Sequence, residues 1–127
     1  MQNTGKSLFI CVGDLSADKH AGKLIKTLKR QAPDLDIWGM GGAEMQEAGA
    51  RLIYNRESLT AIGLVEVIRY LPKLAMVRQD MLNRILKEKP DAMLLMDFGG
   101  FNVGFATLLR KFNKTIPIIY FISPQVW

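Results

Sequence analysis

The chain has 127 residues, 49% of them hydrophobic and 23% charged, with a formal net charge of +5. That composition suits one globular domain with room for a core, and it excludes a disordered or collagen-like chain. One cysteine, Cys11, excludes a disulfide framework and suits a reducing compartment, and one histidine, His20, is too few for a Cys/His zinc site.

The segment before Leu8 carries one charge, Lys6, and the apolar run from Leu8 to Val12 is too short for a signal peptide. Ser7 to Val12 is apolar, β-branched and aromatic, which predicts a buried first strand. It runs into Gly13-Asp14-Leu15-Ser16-Ala17-Asp18, where Ser16 or Asp18 can cap the next helix. That helix extends to about Gln31, with Ala21, Leu24, Ile25 and Leu28 on one face and lysines on the other. Pro33-Asp34 breaks it, and Asp36 to Met40 reads as a second strand ending in Gly41-Gly42. A short helix over Ala43 to Ala48 follows, with Gly49 as its C′ residue, and Arg51 to Tyr54 reads as a third strand.

Leu64, Val67, Ile68 and Leu71 fall at helical spacing, and Pro72 fits the first turn of a new helix. Leu74, Val77, Met81, Leu82 and Ile85 give that helix a core face down to about Lys89, before Pro90-Asp91. Ala92 to Met96 is an unbroken apolar run ending at Asp97, hence a strand buried on both faces. A helix over Val103 to Phe112 and a fifth strand over Ile116 to Phe121 complete the pattern. Strands alternating with helices predict an α/β fold, a doubly wound (Rossmann-like) parallel sheet with right-handed crossovers. The chain stops at an apolar segment straight after a strand, which reads as the first domain of a longer protein.

In such a sheet all strand C-termini share one edge, where ligands bind. Four unusual segments fall there: residues 13–18, 39–42, 97–102 and 123–127. Asp14, Asp18 and Asp97 can serve as a general base or grip sugar hydroxyls. Simpler roles compete: Asp18 as a helix cap, Asn102 as the cap of a helix starting near Val103, and the glycines as turns. Nucleotide-loop signatures are missing, because neither GxGxxG nor GxxxxGK[ST] occurs. A phosphate can still meet the helix start near Ser16 to Lys19. A nucleophilic triad on Ser16 or Ser123 needs geometry that the spacing does not offer. A receiver domain needs an acid at the end of the third strand, and Arg51 to Tyr54 ends without one.

The stripe of Leu64, Val67, Ile68 and Leu71 continues through Leu74, Ala75 and Met76, flanked by Arg69, Lys73 and Arg78. It fits either core packing under the sheet or an anionic membrane interface, and an apolar face with basic flanks favours the membrane.

Five segments in register resemble the N-terminal part of the lipid-A-disaccharide synthase family, inverting glycosyltransferases of the GT-B type. Gly13-Asp14-Leu15-Ser16-Ala17-Asp18 resembles the family's G-E-x-S-G-D, and Gly39-Met40-Gly41-Gly42-Ala43-Glu44-Met45 its G-x-x-G-P-x-M. Ile62-Gly63-Leu64-Val65-Glu66-Val67 resembles M-G-x-x-E-V. Met96-Asp97-Phe98-Gly99-Gly100-Phe101-Asn102 resembles I-D-x-P-D-F-N, and Ser123-Pro124-Gln125-Val126-Trp127 keeps S-P-x-V-W intact. This chain departs at Asp14, Ala17, Gly99 and Gly100. The resemblance implies transfer of 2,3-diacylglucosamine from its UDP derivative to 2,3-diacylglucosamine 1-phosphate (lipid X), giving lipid A disaccharide and UDP. It implies Asp97 as catalytic base and Asp14, Ser16, Asp18, Asn102 and Ser123 on the acceptor side. Leu64, Val67, Ile68, Leu71, Arg69 and Lys73 become the membrane contact of a cytoplasmic protein peripheral on the inner membrane. No metal, cofactor or nucleic acid is implied, and the UDP-binding half lies outside this chain. A non-enzymatic lipid- or anion-binding module on the same fold is the alternative.

Overall fold

The computed structural model describes residues 6–12, 15–55, 64–96 and 99–121. Apolar runs become strands and amphipathic runs become helices, in the order β1 (Ser7–Val12), α1 (Leu15–Gln31), β2 (Asp36–Gly41), α2 (Ala43–Glu47), β3 (Arg51–Asn55), α3 (Leu64–Glu88), β4 (Ala92–Met96), α4 (Gly99–Phe112) and β5 (Ile118–Phe121). The strands pair in parallel as one sheet, β3-β2-β1-β4-β5. Strand order reverses between β1 and β4, which makes that junction the topological switch point of a doubly wound fold.

Successive strand residues face opposite sides, and each side has its own helices. Phe9, Cys11, Trp38, Met40, Met93 and Leu95 pack with Val77, Met81, Leu82 and Ile85 of α3 and with Phe105 and Leu109 of α4. Ile10, Val12, Ile37, Leu94 and Met96 pack with Ala17, Ala21 and Ile25 of α1 and with Met45 of α2. Each fully buried large side chain contributes about 1.5–3 kcal/mol of burial. The Phe9 ring meets Trp38 edge-on at 4.9 Å between centroids.

Two element boundaries differ from the sequence expectation. Pro72 does not start a helix; α3 is continuous from Leu64 to Glu88. Proline removes one hydrogen bond to the preceding turn. Here the apolar stripe stays in phase on both sides of it in the sequence, through Leu71, Leu74, Val77 and Met81, and a continuous amphipathic pattern favours one helix over two. The last helix starts at Gly99, not near Val103. Two glycines cost about 1 kcal/mol each inside a helix. Buried Asn102 and Phe105 in the first two turns offset that cost.

Polar groups staple the N-terminal edge of the sheet. The Ser7 amide donates to Asp91 Oδ2 at 2.7 Å, and Trp38 Nε1–H donates to Ser7 Oγ at 2.9 Å. Arg51 lies 5.3 Å from the Trp38 ring centroid and bridges Asp36 at 3.1 Å and Glu88 at 3.2 Å. These ion pairs are roughly half-exposed and contribute at most about 1 kcal/mol each. They serve stability at the edge opposite the ligand-binding one.

Cys11 is fully buried in β1, and burial pushes its thiol pKa up. A buried neutral thiol is a poor nucleophile. A thiol reagent is therefore expected to leave native protein unlabelled at pH 8 and to label Cys11 fully in denaturant. Labelling of native protein at the rate seen in denaturant would contradict this burial.

Candidate functional site at the strand C-termini

Register fixes the geometry of the rim. Val12, the last residue of β1, pairs with Met96, the last residue of β4. Met96 in turn pairs with Phe121, the last residue of β5, and Met40 near the end of β2 pairs with Cys11. The ends of β1, β2, β4 and β5 are thus level, and all four predicted rim segments continue from them. Asp97 follows directly after Met96 at the switch point. Asp97, Asp14 and Ser123 lie outside the described residues. Ser16 is in the first turn of α1, but its side chain is outside the description.

Asp18 and Asn102 are both described, and both turn inward. Asp18 is 1% exposed, and its carboxylate accepts three backbone N–H bonds. Gly42 and Met45 donate to Oδ1 at 2.9 and 3.2 Å, and Glu44 donates to Oδ2 at 3.1 Å. Asp18 therefore does not cap its own helix, α1; it caps α2 from another element. Gly42, the N-cap of α2, has no side-chain cap bond of its own. The signal was present in the sequence, since a glycine at an N-cap leaves the first amides needing an outside acceptor.

Asn102 is fully buried, and its Nδ2–H donates to the Met96 carbonyl at 3.5 Å. It ties the first turn of α4 to the end of β4, one residue before Asp97. Neither side chain presents itself to an acceptor sugar. Asp18 holds the start of α2 to the first turn of α1, and Asn102 holds the first turn of α4 to the end of β4.

Glycines in the second rim segment are spent on internal contacts. A Cβ on Gly42 would stand 2.5 Å from Asp18 Oδ2, and one on Gly41 2.1 Å from Met45 Sδ. Lys19 and His20 are exposed on α1, as a solvated surface requires. Among the described residues no group of three or more His, Cys, Asp or Glu side chains could hold a metal ion.

The predicted membrane residues Leu64, Val67, Ile68, Arg69, Leu71 and Lys73 lie in the first half of α3, where side chains are outside the description. Helix length is informative by itself. A helix rises 1.5 Å per residue, so the 25 residues of α3 span roughly 37 Å, against roughly 17–20 Å for strands of this size. In its second half, Val77, Met81, Leu82 and Ile85 pack into the core. Met76, at the junction, is 72% exposed. No helix among the described residues is long and apolar enough to cross a membrane.

Comparison with known proteins gives a consistent answer. Residues 8–127 match the family described as Lipid-A-disaccharide synthetase. Lipid-A-disaccharide synthase 1 of Legionella pneumophila is 39% identical over 118 residues, covering 93% of this chain and 30% of that protein. The Nitrosococcus oceani Lipid-A-disaccharide synthase is 33% identical over 127 residues, covering 100% of this chain and 32% of its own length. The Myxococcus xanthus Lipid-A-disaccharide synthase is 29% identical over 120 residues, covering 94% and 31%. The chain thus spans about a third of the length of these curated relatives, 30 to 32%.

Proposed function

The chain belongs to the lipid-A-disaccharide synthetase family, and from that premise we propose that it is the acceptor-side, N-terminal domain of an inverting glycosyltransferase. The reaction joins UDP-2,3-diacylglucosamine to 2,3-diacylglucosamine 1-phosphate. The 6-hydroxyl oxygen of the acceptor attacks the anomeric carbon, the bond to UDP breaks, and UDP leaves with the bonding electrons. Asp97 takes the hydroxyl proton as general base. The observation that carries this reading is the Val12–Met96 pairing, which brings the ends of β1 and β4 level at the switch point; Asp14 and Asp97 follow those ends in the sequence. Asp14, Ser16 and Ser123 are the acceptor-contacting groups, with Asp18 and Asn102 behind them. The nucleotide-sugar domain falls in the two thirds of the relatives' length that this chain does not cover. The direct test supplies both lipid precursors to the full-length protein and follows disaccharide and UDP by mass spectrometry. Failure to form either product sinks the proposal.

The protein works on the cytoplasmic face of the inner membrane, held there peripherally by the first half of α3. Support comes from the 25-residue length of that helix, its apolar stripe and the flanking Arg69 and Lys73. A basic residue near an anionic surface contributes about 1 kcal/mol. Reversing both in an Arg69→Glu, Lys73→Glu variant should weaken binding to phosphatidylglycerol vesicles by at least about tenfold. Equal co-sedimentation of wild type and variant, or binding indifferent to vesicle charge, rules this contact out.

A further inference from the structure

We infer that Asp18 is a positioning residue, locking the first turn of α1 to the turn between β2 and α2 and thereby setting where the acceptor-side groups stand. The inference rests on the glycosyltransferase reading above, and three observations carry it.

The first is connectivity. Asp18 is in the first turn of α1, which begins at Leu15 directly after residues 13–14. Its three donors, Gly42, Glu44 and Met45, belong to the turn after β2 and the start of α2. Fixing Asp18 fixes the turn that carries Ser16 and adjoins Asp14.

The second is space. A Cβ at Gly42 would lie 2.5 Å from Asp18 Oδ2 and 2.9 Å from Cγ. One helical turn along α1, a Cβ at Gly22 would lie 2.9 Å from the Glu44 carbonyl oxygen. Helix α1 and the start of α2 are in close contact at two levels, so neither shifts without the other.

The third is charge. A buried carboxylate is costly unless hydrogen-bonded, and here it is bonded three times at a helix N-terminus. A neutral cap on a five-residue helix would suffice for local order. A three-way charged clamp between the start of α1 and the start of α2 does more, because it ties together two elements that begin at the rim.

The test compares Asp18→Asn, Gly42→Ala and the double variant in the full-length protein. Asparagine keeps the side-chain shape and can still accept from Gly42 and Met45. Its amide must then face the Glu44 N–H, donor against donor. Gly42→Ala presses on the same carboxylate from the other side. Each single variant should raise the acceptor KM by about tenfold while the donor KM stays within about twofold. The double variant should be less than multiplicative, because both changes break one contact. Ile85→Val, at the far end of α3, is the control for lost stability and should leave the acceptor KM unchanged. The positioning role is overturned by an acceptor KM within about twofold of wild type in both single variants. It is equally overturned if the control raises that KM as much, or if neither single variant folds, since Asp18 is then a purely structural group. Failure of the underlying glycosyltransferase reading is distinguishable, because it appears as absence of product in wild type.

Discussion

Asp97→Asn should lower kcat for disaccharide formation by about 10²–10⁴-fold, the usual range for losing a positioned general base. In barrier terms that is about 2.7–5.4 kcal/mol. Asparagine is close to isosteric, so both substrate KM values should change little: the interaction removed exists mainly in the transition state. The pH profile provides a second signature. A base works only when unprotonated, so wild-type kcat/KM should fall toward acid, and the residual rate of the variant should lose that acid limb. Near-normal turnover in the variant would remove Asp97 from the mechanism. A large KM increase at unchanged kcat would instead make it a binding residue. Asn102 offers a graded comparison, because it is buried and bonds the backbone at the end of β4. Its Nδ2–H holds the Met96 carbonyl, the last strand residue before Asp97. A defect there should be smaller than at Asp97 itself.

The sheet and its rim were legible because their signals are local. An unbroken apolar run as short as Ala92 to Met96, bounded by Pro90-Asp91 and by Asp97 with two glycines, reads as a strand buried on both faces, and in a parallel sheet its last residue lies at the ligand edge. The roles of Asp18 and Asn102 were not legible in the same way. Sequence proximity pairs Asp18 with the start of α1, whereas its partners are 24 to 27 residues away across a strand crossover. Local spacing likewise makes Asn102 a cap in front of a helix, whereas it stands inside the first turn and reaches back to β4. Pro72 misled for a related reason. A breaker is a local signal, and the in-phase stripe that overrides it extends over six turns. For Asp18 and Asn102 a tertiary contact outweighed a local preference of about 1 kcal/mol, such as a cap or a glycine.

The same distinction between local and tertiary cost gives the largest expected stability effect, at Gly39. This residue is inside β2, at φ +150, where the pairing with β3 slips by one residue between Gly39 and Met40. A Cβ here would stand 1.9 Å from the Ile10 carbonyl oxygen, 2.9 Å from its carbon and 3.0 Å from its nitrogen. All three are backbone atoms of β1, the strand that pairs with both β2 and β4. Nothing flexible can yield, so β1 and β2 must separate and lose ladder bonds, and the side chain also sits at an unfavourable φ. Gly39→Ala should therefore destabilise by about 3–5 kcal/mol, a large share of the 5–15 kcal/mol that holds a typical domain. Two neighbours calibrate the claim. At Gly41 the obstruction is the Met45 thioether, which can rotate, so alanine there should cost less. At Gly49, φ is +113 but the nearest obstacle is Lys29 Cε at 3.5 Å, leaving only a backbone penalty of about 1 kcal/mol. Urea melts of the three alanine variants should rank Gly39 far below Gly41, and Gly41 below Gly49. A Gly39→Ala midpoint indistinguishable from wild type would mean that the bulge at Gly39 and Met40 is not where β2 bends.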